Sequence, residues 1–291
     1  MPRYYLETNA IRKLAGKLSH PWIIANCFTS IHTICELLTD LSEENYPLKR
    51  NAITQIINSG IYIDWELPQK IQFESYGVFG IQYQFDKNIV ESLMKEITNS
   101  ENMAEYMDNI EKMSLMQVYR KIQKNDEGYY TYFDAEMKRK TAEFRTAIPA
   151  FNERKGLVEG ITEPLMLYSN SFNPVFVEAL KPAVQIKMGE DIYNSELNHG
   201  QLPELDEFIK GYSRRIDIFF IVSGYYTMKK NAVSDSIAIN DFNDLYHLMY
   251  ISNDDIIVSN DHLFSDTMKK LLPNNVMTSE ELISNFSLTT S

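Results

Sequence analysis

A chain of 291 residues, 44% of them hydrophobic, can bury a proper core as one large domain or two small ones, and its 18 Tyr and 15 Phe exclude a disordered polymer. A formal net charge of −12 excludes a surface coated in basic residues for phosphate backbones. Any nucleic-acid contact must then be a local basic patch, whereas a cluster of metal-binding carboxylates would itself add negative charge.

The chain opens on Tyr4-Tyr5-Leu6-Glu7-Thr8-Asn9, an aromatic-rich apolar run ending in an acid and two small polar residues. This reads as a buried strand delivering polar groups at its C-terminal edge, the edge at which open α/β sheets bind ligands. No basic segment followed by an apolar one precedes it, so no signal peptide is expected. Ile11, Leu14, Ala15 and Leu18 share helical spacing, and His20-Pro21 ends that helix. Trp22 to Phe28 suits a second strand or an extended lead-in. Thr29 or Ser30 then caps a helix to about Leu41, with Ile31, Ile34, Cys35, Leu38 and Leu41 as its apolar stripe. Cys27 and Cys35, the two cysteines, lack ligand spacing and read as reduced core thiols. Lys49 to Asn58 reads as a helix and Ile61 to Asp64 as a short strand.

From Gln69 the segments lengthen and β-branched runs thin out, which predicts helices around Ile89 to Ile97, from Met103 to Ile122, and over Asp134 to Thr146. Glu153 to Pro174 is loop-like, Phe176 to Met188 is ambiguous because of Pro182, and Leu205 to Lys230 reads as one long helix. The longest apolar run, Ile218 to Val222, is too short to span a bilayer, so a soluble, cytoplasmic protein with no membrane partner is expected. Alternation returns after Asn240, with a helix Asp244 to Ile251, a strand Asp255 to Ser259, a helix Leu263 to Leu271, a strand Asn275 to Met277 and a helix Ser279 to Phe286.

Four pieces, taken in order, resemble the motifs of the PIN-domain nucleases. They are Glu7-Thr8-Asn9, then Ser30-x-x-Thr33-x-x-Glu36-Leu37, then Asp241 and Asp244 opening a helix, and Ser259-x-Asp261 after a strand. The resemblance implies a three-layer α/β/α fold with a mostly parallel sheet, built from residues 1–68 and 236–291, with residues 69–235 inserted as a helical subdomain whose two ends lie close together. It also implies a magnesium- or manganese-dependent endoribonuclease hydrolysing phosphodiester bonds. RNA is the expected substrate, single-stranded DNA the alternative, and a second copy of the chain or a protein partner the other partner class. Glu7, Glu36, Asp244 and Asp261 would hold the ions, with Thr8, Asn9, Ser259 and Asp241 in support. Where the family's first acid is Asp, this chain has Glu7, and its extra methylene moves the carboxylate outward by about a bond length, a change to which Mg²⁺ is sensitive.

Each acid also has a purely structural reading. Glu7 could cap the helix behind it; Glu36 lies opposite the apolar stripe, as a solvated residue would; Asp241 and Asp244 resemble a capping box; Asp261 could be a turn residue. His32 and His247 sit beside the acids, where most histidines are simply satisfied surface or core residues. Lys138, Arg139, Lys140 and Arg145 follow Tyr129, Tyr130, Tyr132 and Phe133, a mixture of charge and stacking faces suited to single-stranded nucleic acid, though a solvated helix face explains the charges as well. The rival to a nuclease is a catalytically silent PIN-like protein that binds protein or RNA through its insertion.

Overall fold

The computed structural model describes residues 2–14, 16–80, 86–122, 174–195, 202–233 and 239–288, with isolated positions between 139 and 156. Five strands, β1 (Tyr4–Leu6), β2 (Cys27–Ser30), β3 (Tyr62–Asp64), β4 (Ile256–Val258) and β5 (Val276–Met277), form one sheet in the order β3-β2-β1-β4-β5, every pair parallel. The chain builds outward from β1 on one side, then returns to build outward on the other. The order therefore reverses between β1 and β4, the position at which doubly wound sheets open a ligand crevice beyond their strand ends.

Alternation along β1 sends its side chains to both faces. Tyr4 packs on Trp22 and Phe286, and Tyr5 stacks on Tyr250 with their rings 5.8 Å apart. Every residue of β1 and β2 is buried, as in a parallel sheet covered on both faces. No helix among the described residues is long and apolar enough to cross a membrane.

The first helix, α1 (Thr8–Lys13), begins earlier than its apolar spacing suggests because Glu7 caps it. Trp22 to Asn26 is helical, not extended: Pro21 opens α2 (Pro21–Asn26) and the His20 ring accepts from the Trp22 N–H, leaving only Cys27 onward to β2. Ser30 caps α3 (Ile31–Leu38), which stops short of Leu41, with Asp40 left-handed at φ 47° just beyond its end. The helix α4 (Tyr46–Ser59) ends on Gly60 at φ 69°, a conformation glycine adopts without strain.

Three helices follow β3: α5 (Pro68–Ser75), α6 (Lys87–Asn99) and α7 (Met103–Lys112). Next described are α8 (Pro174–Tyr193), which continues through Pro182, α9 (Leu205–Lys210) and α10 (Asp217–Val233). The expected single helix over Leu205 to Lys230 is thus broken, and Arg214 sits in the break at φ 65°. Gly189 of α8 lies against Tyr76 and Ile209 so tightly that a Cβ there would come within 3.0 Å of both.

One buried cluster runs from the sheet (Tyr5, Leu6, Ile257) into these helices (Ile71, Leu93, Phe220). Where the chain leaves β3, the Glu66 carbonyl accepts from the Tyr250 hydroxyl at 2.8 Å, so residue 66 and the turn before β4 are neighbours. The helix α11 (Ile239–Tyr246) starts before the Asp-x-x-Asp pair and runs into a 3-10 turn, His247–Tyr250. Asp244 therefore lies within the helix and does not open it, whereas Asp241 is its third residue. A π-helical turn, Leu263–Met268, follows Asp261, and α12 (Ser279–Asn285) begins on a capping box of Thr278 and Glu281.

Candidate metal centre at the strand ends

Glu7 follows β1 directly, and its N–H points to the Val258 carbonyl of β4 at 3.5 Å. Leu6 and Val258 pair across that ladder, so the residues after them leave the sheet at one edge. Beyond Val258, Ser259 donates its N–H to the Met277 carbonyl, and its hydroxyl accepts from the Asp261 N–H at 3.0 Å. Asp261 in turn accepts from the Leu263 N–H at 2.7 Å, the hydrogen bond of an Asx turn. Asp255 lies at the opposite edge, bound to Arg3 and to the turn at Ser252.

Glu7 is 2% exposed. One carboxylate oxygen accepts from the Asn9 N–H at 2.7 Å and the other from the Ala10 N–H at 3.0 Å. It thus caps α1 in addition to any other role. Burial raises its pKa, and the nearby charge of His247 and the hydrogen bond from Asn9 oppose the rise.

Glu36 sits one turn from the end of α3, and its side chain is 14% exposed. Oε2 accepts from Thr8 Oγ1 and lies 3.0 Å from His247 Nε2; Oε1 accepts from the Asn243 side-chain amide at 3.1 Å and lies 3.7 Å from His32 Nε2. Burial would raise the pKa of Glu36, but the His247 charge and hydrogen bond hold it down at about 2. His247 is 1% exposed, and its Nδ1 meets the Tyr5 hydroxyl at 2.7 Å. Burial disfavours its cation, yet the Tyr5 and Glu36 oxygens facing its two nitrogens keep its pKa well above the usual histidine value. His32 differs, because burial and the His247 charge push it down to about 4, and its Nε2 donates to the Asn243 carbonyl at 2.9 Å.

Asp244 has no such cation close enough to prevail. Burial and the negative charges of Glu36, Asp261 and Glu7 push its pKa up to about 8, with His247 opposing. Acids from both ends of the chain thus repel one another at the edge where β1 and β4 end. Carboxylate oxygens suit a hard divalent cation such as Mg²⁺ or Mn²⁺, but among the described residues the group whose ligand atoms all lie within 4.8 Å of one another is His32, Glu36 and His247, not the four acids. No family model, no curated protein and no solved structure matches this chain.

Of the supporting residues, Thr8 braces Glu36 and Ser259 shapes the turn of Asp261, while Asn9 contributes its backbone N–H to Glu7. The side chain of Asp241 lies outside the described residues, as do Lys138, Lys140 and the aromatics before them. Arg139 and Arg145 are described as isolated helical positions, Arg139 exposed and Arg145 half-buried. Sequence reasoning gives little weight to His247, His32 and Asn243, which face Glu36, or to Tyr5, which holds His247. Two signals were present: His32 and Glu36 stand four apart on one helix face, and His247 follows Asp244 by three.

Proposed function

We propose that the chain is a divalent-metal-dependent nuclease of PIN-like type, hydrolysing phosphodiester bonds of single-stranded nucleic acid, RNA on the strength of the motif resemblance. The observation that supports this reading is electrostatic: beside the crossover of a parallel sheet, burial and then the charges of Glu36, Asp261 and Glu7 raise Asp244. Glu7, Asp244 and Asp261, with Glu36, would hold the ion, which when bound supplies the Lewis acidity and water activation that phosphodiester cleavage requires. The protein's own part is positional: strand ends and α11 fix the acids, and the Asx turn at Asp261 sets its carboxylate.

A second reading, a PIN-like scaffold without catalysis, draws on a specific observation. Both oxygens of Glu7 cap α1, and both oxygens of Glu36 already face protein donors. Melting curves with and without Mn²⁺, together with a cleavage assay on single-stranded RNA, separate the two. The nuclease shows a Mn²⁺-dependent rise in Tm and cleavage that EDTA stops; a silent scaffold shows neither.

A further inference from the structure

Glu36 belongs to the carboxylate edge, but two imidazoles also face it. His32 and Glu36 project from one face of α3, four residues apart, and His247 approaches from the 3-10 turn after α11. One ligand atom from each lies within 4.8 Å of the others. The two separations to Glu36 are 3.0 Å from His247 Nε2 to Oε2 and 3.7 Å from His32 Nε2 to the other oxygen, Oε1. An ion holding nitrogen and oxygen tetrahedrally at about 2.0–2.1 Å spaces its ligands by roughly 3.3 Å, between those two values.

His247 and Glu36 each have further partners that fix their orientation. The Nδ1 of His247 faces the Tyr5 hydroxyl at 2.7 Å, and Tyr5 is itself fixed by Ser30 at 2.7 Å and Thr33 at 3.2 Å. With Nδ1–H donating to Tyr5, the Nε2 is turned toward Glu36, which is how a buried phenol or carboxylate orients a ligating imidazole. Thr8 and Asn243 hold the carboxylate from its other sides. As a stabilising device alone, a buried histidine–carboxylate pair is poor, because desolvation offsets most of its attraction.

We propose that His32, Glu36 and His247 form a transition-metal site for an ion of the zinc class, sharing Glu36 with the carboxylate edge but independent of whether that edge cleaves nucleic acid. Two imidazoles with one carboxylate select a d-block ion over Mg²⁺. The ion takes the place of the proton between His247 Nε2 and Glu36 Oε2. His32 exchanges its hydrogen bond to the Asn243 carbonyl for a bond to the ion, moving its proton to Nδ1. A fourth position is left for water.

Cobalt is the probe. Titrating the full chain with Co²⁺ should produce the strong visible absorption of a four-coordinate cobalt centre at one equivalent. His32→Gln should weaken Co²⁺ binding by about 10–100-fold or more, the scale on which even orienting partners of a metal matter. Asp244→Asn and Asp261→Asn should leave the absorption unchanged even where they abolish a Mn²⁺ response, so this proposal and the nuclease reading fail separately. Glu36 is shared by both and does not discriminate. X-ray absorption fine structure of the zinc-loaded wild-type chain, which needs no variant to fold, should show two imidazole rings in the first shell. An oxygen-only shell, weak six-coordinate absorption, or absorption lost in Asp261→Asn but kept in His32→Gln overturns the assignment.

Discussion

Leu6 and Val258 stand opposite one another in adjoining parallel strands, and that one pairing brings the two ends of the chain to a common edge. Glu7 leaves from one strand and Asp261 from the other, with Asp244 and Glu36 supplied by α11 and α3. The consequences concern charge, because four acids at one edge share few compensating cations.

Asp244 gives a pH signature. An unfolded aspartate ionises near 3.8, whereas the folded one holds its proton up to about 8. Between those values the folded state binds the extra proton, so this group's contribution to stability is complete below pH 4, declines as pH rises and is lost by about pH 8. Asp244→Asn removes the ionisation. In EDTA its Tm relative to the parent should rise from pH 5 to pH 8, by roughly 2–4 °C for each kcal/mol relieved. A Tm difference that does not change with pH would show that Asp244 is ionised in the fold.

The Glu36 and His247 pair behaves oppositely. Glu36 has its pKa lowered from 4.5 to about 2, so its stabilisation is present above pH 4.5 and lost as pH falls through 2. His247 is raised from 6.5, so its share is complete below 6.5 and lost as pH climbs through its higher folded value. The pair therefore stabilises most between about pH 4.5 and 6.5. Glu36→Gln leaves a buried imidazolium without its anion, a change that costs about 3 kcal/mol or more. The expected Tm loss is largest within that pH window, and thermal melts at pH 5.5 and 9 measure it.

The parts of the fold legible in the sequence are those whose signal is local. Strand β1, Ser30 as a cap, the apolar Ile256 to Val258 and the last helix from Ser279 each announce themselves within a few residues. The start of α11 is hidden because two aspartates imitate a cap while the helix begins before them. Pro182 suggests a break where α8 continues, and the real interruption, at Arg214, depends on a left-handed residue that no periodicity announces. The environment of Glu36 is hidden for another reason: Asn243 and His247, which face it, and Tyr5, which holds His247, come from parts of the chain joined by the pairing of β1 with β4.

If the basic segment at Lys138, Arg139, Lys140 and Arg145 guides nucleic acid to the edge, reversing the charge of the first three should weaken binding to single-stranded RNA. It should also flatten the salt dependence, by roughly 0.7 in log–log slope for each phosphate that is no longer neutralised. Affinity measured across a salt series is the check. An unchanged slope returns these residues to a solvated helix face.

Asp261 separates a metal ligand from a turn residue, because the two roles predict opposite effects on the metal-free fold. Its carboxylate adds to the negative potential that pushes Asp244 up, so neutralising it relieves repulsion. The same carboxylate accepts the Leu263 N–H, and an Asn oxygen at that position can still accept it. Asp261→Asn is therefore expected to keep or raise the Tm in EDTA, to lose the Mn²⁺-dependent rise of the parent, and to cleave no single-stranded RNA. Were Asp261 only a turn residue, Asn would leave the Mn²⁺ response intact and Asp261→Ala would cost about 1 kcal/mol with or without metal. Four melting curves, the parent and Asp261→Asn each in EDTA and in Mn²⁺, decide between them, and an undiminished Mn²⁺ shift in the variant would remove Asp261 from the metal centre.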